Sequence, residues 1–230
     1  MNPTTSSGRT QRGDAPLTIA QMREHLTAAL VCDALDQVNL RNQSPRISLR
    51  PITVDRTLVG RCKTTLWADM AHEDPAPYEL ELAAIDGCQA DDVIIAAAGG
   101  SRRSGIWGEL LTTAAMNRGC VGAVIHGAVR DVKRMAAMDF PIYAQGTCVY
   151  DSQHRQRVID IDVPVEIDGV VFSPGDLVFA DRDGVVVVPQ AQEAEVLAKA
   201  WSKLHEENAV REAIQQGMLA AEAYERFGVF

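Results

Sequence analysis

Three ionisable side chains fall at chain reversals in the stretch GIWGELLTTAAMNRGCVGAVIHGAVRD, residues 105–131, with the spacing Gly105-x3-Glu109-x20-Arg130-Asp131. By pattern the stretch is a loop, a helix, a strand and a charged turn, with Glu109 at the helix N-terminus and Arg130 and Asp131 just beyond the strand. The first turn of such a helix leaves the N–H groups of Glu109, Leu110 and Leu111 without intrahelical acceptors, so the opening at Gly108 suits a carboxylate. Arg130 offers a planar fork that can grip the same carboxylate through two parallel hydrogen bonds. Asp131 is a hard oxygen ligand for Mg²⁺ or Mn²⁺, ions that commonly take one or two protein carboxylates and complete their shell with water and substrate. A 2-keto acid can chelate such an ion, whose charge would stabilise an enolate as it forms. Each residue also has a plainer role. An Arg-Asp pair at a strand-to-helix junction can be a helix cap beside a surface arginine, Glu109 can simply complement the helix dipole, and His126 can be a hydrogen-bonded buried histidine. Composition alone stops at an α/β domain with an anion site.

The elements that must position these groups follow from hydrophobic patterning. The run CVGAVI, residues 120–125, lies between Gly119 and Gly127 and fits a strand buried on both faces, whose carboxyl end is where open α/β sheets bind ligands. DDVIIAAA, residues 91–98, reads as a second buried parallel strand ending at Gly99-Gly100, with helices expected over 78–88 and 131–138. Strand, glycine loop, helix, strand, helix is the order of a βαβ unit. Upstream, apolar residues at three- and four-residue steps predict an amphipathic helix over 18–38, broken near Cys32. Residues 39–51 read as loop, and 52–68 as two strands or one strand bent at Gly60. From 141 onward, short apolar runs separated by DG, PGD and RDG turns predict antiparallel hairpins. Residues 190–216 form a long helix with Ala194, Leu197, Ala200, Trp201 and Leu204 on one face and a stop at Gly217. Its charged second half, HEENAVREAIQQ, suits a helix reaching toward a neighbour. The expected organisation is an unstructured tail over 1–15 and one compact α/β domain over 16–230, with a parallel βαβ core, a β-rich C-terminal half and a projecting helical extension from about 190.

Bulk properties narrow the function. A chain of 230 residues that is 47% hydrophobic can bury a substantial core. A formal charge of −9, with the basic residues scattered, argues against a nucleic-acid partner. No stretch is apolar enough for a membrane span, and residues 1–15 lack the apolar middle of a secretory signal, so a cytoplasmic protein is expected. Cys32, Cys62, Cys88, Cys120 and Cys148 are dispersed without a CxxC pair and read as reduced, mostly buried thiols. The five histidines show no metal-binding spacing, which argues against a zinc site.

The same residues resemble a known family. Gly105-x3-Glu109-x20-Arg130-Asp131 is similar to the signature G-x3-[DE]-x20-R-D of the class II pyruvate aldolases that cleave 4-hydroxy-4-methyl-2-oxoglutarate and 4-carboxy-4-hydroxy-2-oxoadipate. These enzymes share the swivelling β/α/β fold of the RraA-like proteins, named for an inhibitor of ribonuclease activity. The resemblance also rests on CDALDQ at 32–37, LVGRCKTT at 58–65, GELL at 108–111, RGCVGAVIHGAVRDV at 118–132, SPGDLVFADRDGVVVVP at 173–189 and the pattern from Glu207 to Gly228. It implies that Asp131 ligates Mg²⁺ or Mn²⁺, that Arg130 binds the pyruvyl carboxylate with help from Gly108 and the amides of Leu110 and Leu111, and that Glu109 holds a water that returns a proton to the pyruvate enolate. It further implies a homotrimer or homohexamer with sites between subunits, in which Glu206 or Glu207 of a neighbouring subunit reaches the metal waters.

Two departures stand out. His126 occupies a position where many members have aspartate, and the Arg130-Asp131 pair is kept where regulatory members often lose the aspartate. The expected activity is therefore metal-dependent retro-aldol cleavage of a 4-hydroxy-2-keto diacid to pyruvate and a second keto acid, with oxaloacetate decarboxylation as a side activity. The alternative is a non-catalytic regulator of ribonuclease activity acting by protein binding. A Schiff-base aldolase would need a desolvated lysine; among Lys63, Lys133, Lys199 and Lys203 only Lys63, on a strand, stays open. A methyltransferase is disfavoured because AAAGGSRRSG lacks the glycine spacing of a nucleoside-cofactor loop. The loop arginines Arg102, Arg103 and Arg155 are open for a second carboxylate or for plain solvation.

Overall fold

The computed structural model describes residues 16–229; the tail expected over 1–15 lies outside the described residues. Alternation explains the centre of the molecule. In β3 (Asp92–Ala97), Ile94 and Ala96 face one side of the sheet while Val93, Ile95 and Ala97 face the other, and all five are buried. Only a strand with packing on both faces tolerates such a run. β3 lies between β2 (Leu58–Asp69) and β5 (Gly122–Val129), with β6 (Ile142–Thr147) beyond β5, and these four strands are parallel. The short β1 (Arg50–Pro51) closes one edge antiparallel to β6, and β4 (Gly105–Trp107) adds to the end of β5. β7 (Gln156–Ile161) pairs antiparallel with the far part of β2, and the near part pairs with β10 (Leu177–Ala180), which continues into β11 (Val185–Val188). A separate hairpin, β8 (Val165–Ile167) and β9 (Val170–Phe172), turns at Asp168-Gly169.

One face of the sheet is covered by α3 (Glu79–Asp86), α4 (Glu109–Asn117) and α5 (Val132–Ala137), with Trp107, Phe140 and Ile125 in the core between them. The other face packs on the β8–β9 hairpin through Val165, Ile167 and Phe172. At the β10–β11 end, α1 (Ile19–His25), α2 (Ala28–Gln37) and α6 (Glu193–Gln215) form a third cluster with Leu35, Phe179 and Val196.

Several expectations are corrected. The first helix breaks at Leu26-Thr27 rather than near Cys32, because Thr18 and Thr27 each cap their own helix, accepting from the amides of Gln21 and Leu30 at 3.2 Å. Residues 52–57 form no strand, and Gly60 lies inside one continuous β2. Gly105 opens a strand rather than a loop. β5 runs through Gly127 to Val129 because that glycine admits the β3–β4 loop: an added Cβ would lie 3.2 Å from the Ser101 carbonyl. β6 was expected in an antiparallel hairpin but is parallel to β5, since α5 supplies the crossover between them. On the last long helix Leu197 and Ala200 are buried as expected, with Val196 beside them, whereas Ala194 is exposed. After Gly217, α7 (Ala220–Phe227) folds back on α6 and buries Ala223.

The glycine in β2 yields a stability prediction. A Cβ at Gly60 would stand 2.3 Å from the Asp91 carbonyl and 2.8 Å from Val93 Cγ2, and the backbone oxygen cannot step aside. Gly60→Ala is expected to lower unfolding free energy by about 1–3 kcal/mol in urea titration, the usual range for overpacking. An unchanged midpoint would contradict this packing.

Candidate active site

The β4–β5 pairing brings the ends of the 105–131 stretch together. The Arg130 amide donates to the Trp107 carbonyl at 2.8 Å, so the residue after β5 is tied to the residue before the α4 turn. Gly108 is the extended N-cap of α4, and Glu109, Leu110 and Leu111 form its first turn. Leu110 is 77% exposed, an unusual setting for a leucine unless something covers it.

Asp131 sits at the N-cap position of α5 in a left-handed conformation, φ 56°, but makes no side-chain cap. Its carboxylate turns instead to α4, where Oδ2 accepts from the Glu109 amide at 3.3 Å. The plainer reading of the Arg-Asp pair, a cap for the following helix, therefore fails for Asp131. A Cβ on Gly108 would lie 2.7 Å from that same Oδ2, so a side chain there would push the carboxylate from the position it holds. Left-handed non-glycine residues of this kind recur at functional sites.

Arg130 is held by a residue that pattern reading missed. Its Nη2 lies 2.6 Å from Asp151 Oδ2, while Nε lies 3.9 Å from Asp131 Oδ2. Asp151 Oδ1 accepts from the Tyr78 hydroxyl at 2.6 Å and from the Gln153 amide at 2.8 Å. Burial pushes the Asp151 carboxyl up, but the Tyr78 hydroxyl, the Gln153 amide and Arg130 outweigh it and hold the group below the ordinary aspartate range. Burial, and then the hydrogen bond to Asp151, push Tyr78 up to about 12, so it stays a donor.

Tyr78, Glu81, Leu110, Arg130, Asp131 and Asp151 are among the residues lining a cavity of about 270 Å³, with Gly108 and Leu111 also in its wall. Asp151 belongs to the DSQHR loop at 151–155, the same loop that carries Arg155. The signal for Tyr78 and Glu81 was their spacing with Ile85: positions 78, 81 and 85 share a helical face, and a glutamate on an otherwise apolar face is out of place.

Other expected residues lie elsewhere. Glu109 is beside the cavity, with Oε2 3.7 Å from Arg134 Nη1 and Oε1 3.5 Å from the Thr113 hydroxyl. Glu206 accepts from Ser202 at 2.9 Å, and Glu207 lies 3.7 Å from Lys203, so within one chain neither reaches Asp131's cavity. Lys63 is 2.7 Å from Asp162 and is not among the lining residues, leaving the Schiff-base alternative without a cavity lysine among the described residues. Arg102 donates to the Gln145 carbonyl at 2.8 Å, Arg155 donates to the Asp151 carbonyl at 3.2 Å and lies over the Tyr150 ring, and Arg103 is exposed. None of the three lines the cavity. His126 lies within β5, its Nδ1 without a partner among the described residues; burial lowers its pKa, against a smaller opposing effect of Asp168.

The donor set bears on which metal fits. No group of three His, Cys, Asp or Glu side chains converges among the described residues. A single carboxylate that is 44% exposed, cradled against a glycine, suits a hard ion that keeps most of its water, such as Mg²⁺ or Mn²⁺, better than a closed nitrogen and sulfur site.

Comparison with known proteins agrees with this architecture. The family model described as "RraA-like: Aldolase/RraA" matches residues 28–187. A protein of Halalkalibacterium halodurans named "Putative 4-hydroxy-4-methyl-2-oxoglutarate aldolase" is 33% identical over 206 residues, covering 90% of this chain and 92% of that one. Protein DlpA of Legionella pneumophila is 27% identical over 226 residues, 98% of this chain, which spans only 36% of DlpA's length. Among solved structures, Streptomyces coelicolor RraAS2, described as an unusual member of the RNase ES inhibitor RraA protein family, superposes with a TM-score of 0.74 at 29% identity, covering 84% of this chain and 94% of that one.

Proposed function

The chain belongs to the RraA-like family, and from that premise we propose that it is a divalent-metal-dependent aldolase that cleaves a 4-hydroxy-2-keto diacid of the 4-hydroxy-4-methyl-2-oxoglutarate type to pyruvate and a second keto acid. The observation that carries this reading is the convergence of Asp131, Arg130 and the open first turn of α4 on one cavity. Asp131 would hold Mg²⁺ or Mn²⁺, which when bound supplies Lewis-acid polarisation of the keto and carboxylate oxygens. Arg130, steadied by Asp151, presents its fork to the carboxylate, and the Leu110 and Leu111 amides add donors at the helix terminus. Leu110, Leu111 and Ile106 give the cavity its apolar wall, against which the carbon chain of the substrate would lie. Glu109 would hold a water that takes the 4-hydroxyl proton as the C3–C4 bond breaks and returns a proton to C3 of the departing pyruvate. Loss of carbon dioxide from oxaloacetate calls on the same groups, because it too leaves C3 of pyruvate to be protonated. Trimers or hexamers, with Glu206 or Glu207 of a neighbouring subunit completing the site, belong to the same reading.

Pyruvate release coupled to lactate dehydrogenase, from 4-hydroxy-4-methyl-2-oxoglutarate and from oxaloacetate, tests it. Activity that EDTA removes and Mg²⁺ or Mn²⁺ restores is the expected result. Silence on both substrates from folded, metal-supplied protein would sink the reading in favour of a non-catalytic regulator, a role consistent with the likeness to RraAS2. Arg130→Lys, which keeps the charge but loses the planar fork, is expected to raise KM for keto acids about tenfold with a smaller change in kcat. An unchanged KM would remove Arg130 from carboxylate binding.

A further inference from the structure

Glu81 has no part in the chemistry just described, yet it is the most unusual group in the cavity wall. It lies on the inner face of α3, only 6% exposed, and its Oε2 has no hydrogen-bond partner among the described residues. A buried carboxyl without a partner is costly to keep, and burial is otherwise arranged so that such groups are satisfied. The neighbours that act on it are Asp151, an anion already committed to Arg130 and Tyr78, and Arg130 across the cavity. Asp151 and Arg130 are bonded to each other, and neither bonds Glu81 Oε2. Burial first, and then the Asp151 charge, push the Glu81 carboxyl up to about 8, against a smaller opposing pull from Arg130. It holds its proton well above the ordinary glutamate range, and in that form can donate a hydrogen bond.

The other polar groups of the cavity have a different bias. Arg130 is the one Lys or Arg side chain in its described lining, and it is shared between Asp151 and the carboxylate expected beside Asp131. A ligand with a second carboxylate therefore meets no second cation among the described lining residues. A protonated carboxyl facing such an oxygen supplies instead a short, charge-assisted O–H···O⁻ bond without adding net charge to the wall.

We propose that Glu81 is a specificity-determining residue: its carboxyl donates a hydrogen bond to the second carboxylate of the bound keto acid, so that the site prefers keto diacids over keto monoacids of the same length. The assignment rests on the keto-acid reading above. Ionised glutamate would instead repel the same oxygen, which is why the burial of Glu81 matters for selection.

The experiment is calorimetric titration of the full-length protein, supplied with Mg²⁺, with 2-oxoglutarate and with 2-oxopentanoate, which matches its length but lacks the second carboxylate. Neither probe carries a 4-hydroxyl, so no cleavage disturbs the measurement. The wild type is expected to bind 2-oxoglutarate at least about tenfold more tightly. Glu81→Gln keeps a neutral donor and should retain most of that preference. Glu81→Leu removes the donor and should erase it, leaving 2-oxopentanoate affinity within about twofold. A Glu81→Leu protein that still prefers the diacid, or that loses affinity for both acids equally, overturns the assignment; equal loss would mean Glu81 only shapes the wall. A folded wild type that binds neither acid overturns the keto-acid reading itself, whereas binding of both without preference overturns the role of Glu81 alone.

Discussion

Asp131→Ala is expected to reduce metal-dependent pyruvate release by about a thousandfold or more, because in the proposed reading one side chain both holds the ion and places it against the α4 terminus, whose Glu109 amide it already meets. The fold should survive. The Asp131 side chain is 44% exposed, and the structural penalties are the lost hydrogen bond from the Glu109 amide and alanine's poorer tolerance of the left-handed backbone at φ 56°, about 1 kcal/mol each. Asp131→Asn separates the two effects, since asparagine accepts that conformation and keeps the shape while losing the charge. Both variants should lose Mn²⁺ binding in an electron paramagnetic resonance titration, with Asn close to wild type in thermal stability. Wild-type activity in either, still removed by EDTA, would move the metal away from Asp131.

The second large effect concerns pH and stability. The Glu81 carboxyl rises from 4.5 in the unfolded chain to about 8 in the fold. The sign follows: a raised acid makes its full contribution below pH 4.5, and the contribution is lost as pH climbs through about 8, where a buried charge is forced on the folded state. The span from 4.5 to about 8 corresponds to about 5 kcal/mol at most, a large part of an ordinary domain's stability. Glu81→Gln cannot ionise, so its unfolding free energy should exceed that of the wild type by several kcal/mol at pH 9, and the two proteins should converge near pH 4. Asp151 works the other way. It is held below its ordinary range, so its contribution is present at neutral pH and lost as acid protonates it and breaks the tie to Arg130. Parallel Tm-against-pH curves for wild type and Glu81→Gln would mean that Glu81 is solvated in solution.

These predictions draw on different parts of the chain, and the parts differed in how legible they were. Glu109, Arg130 and Asp131 could be picked out because each follows or precedes a strongly patterned element, and a residue next to a buried strand has few places to go. The βαβ order was legible for the same reason. The direction of β6 was not: IYAQGT looks alike in a parallel or an antiparallel neighbour, and only the crossover through α5 decides. The helix break at Leu26-Thr27 was hidden because the apolar spacing continues across it, while the Thr27 hydroxyl that starts the second helix acts locally.

Local pattern by itself determined the α/β class, the strand that carries Arg130 and Asp131 to a chain reversal, and the helix that opens at Gly108. Tertiary structure alone decided what surrounds them. Asp151 lies 20 residues beyond Asp131 and Tyr78 lies 30 before Gly108, separations over which periodicity holds no information, yet the fold brings Asp151 to Arg130 and Tyr78 to Asp151. The same packing buries Glu81 without a partner, and a side chain's protonation state is set by its neighbours in space, not by those in the chain.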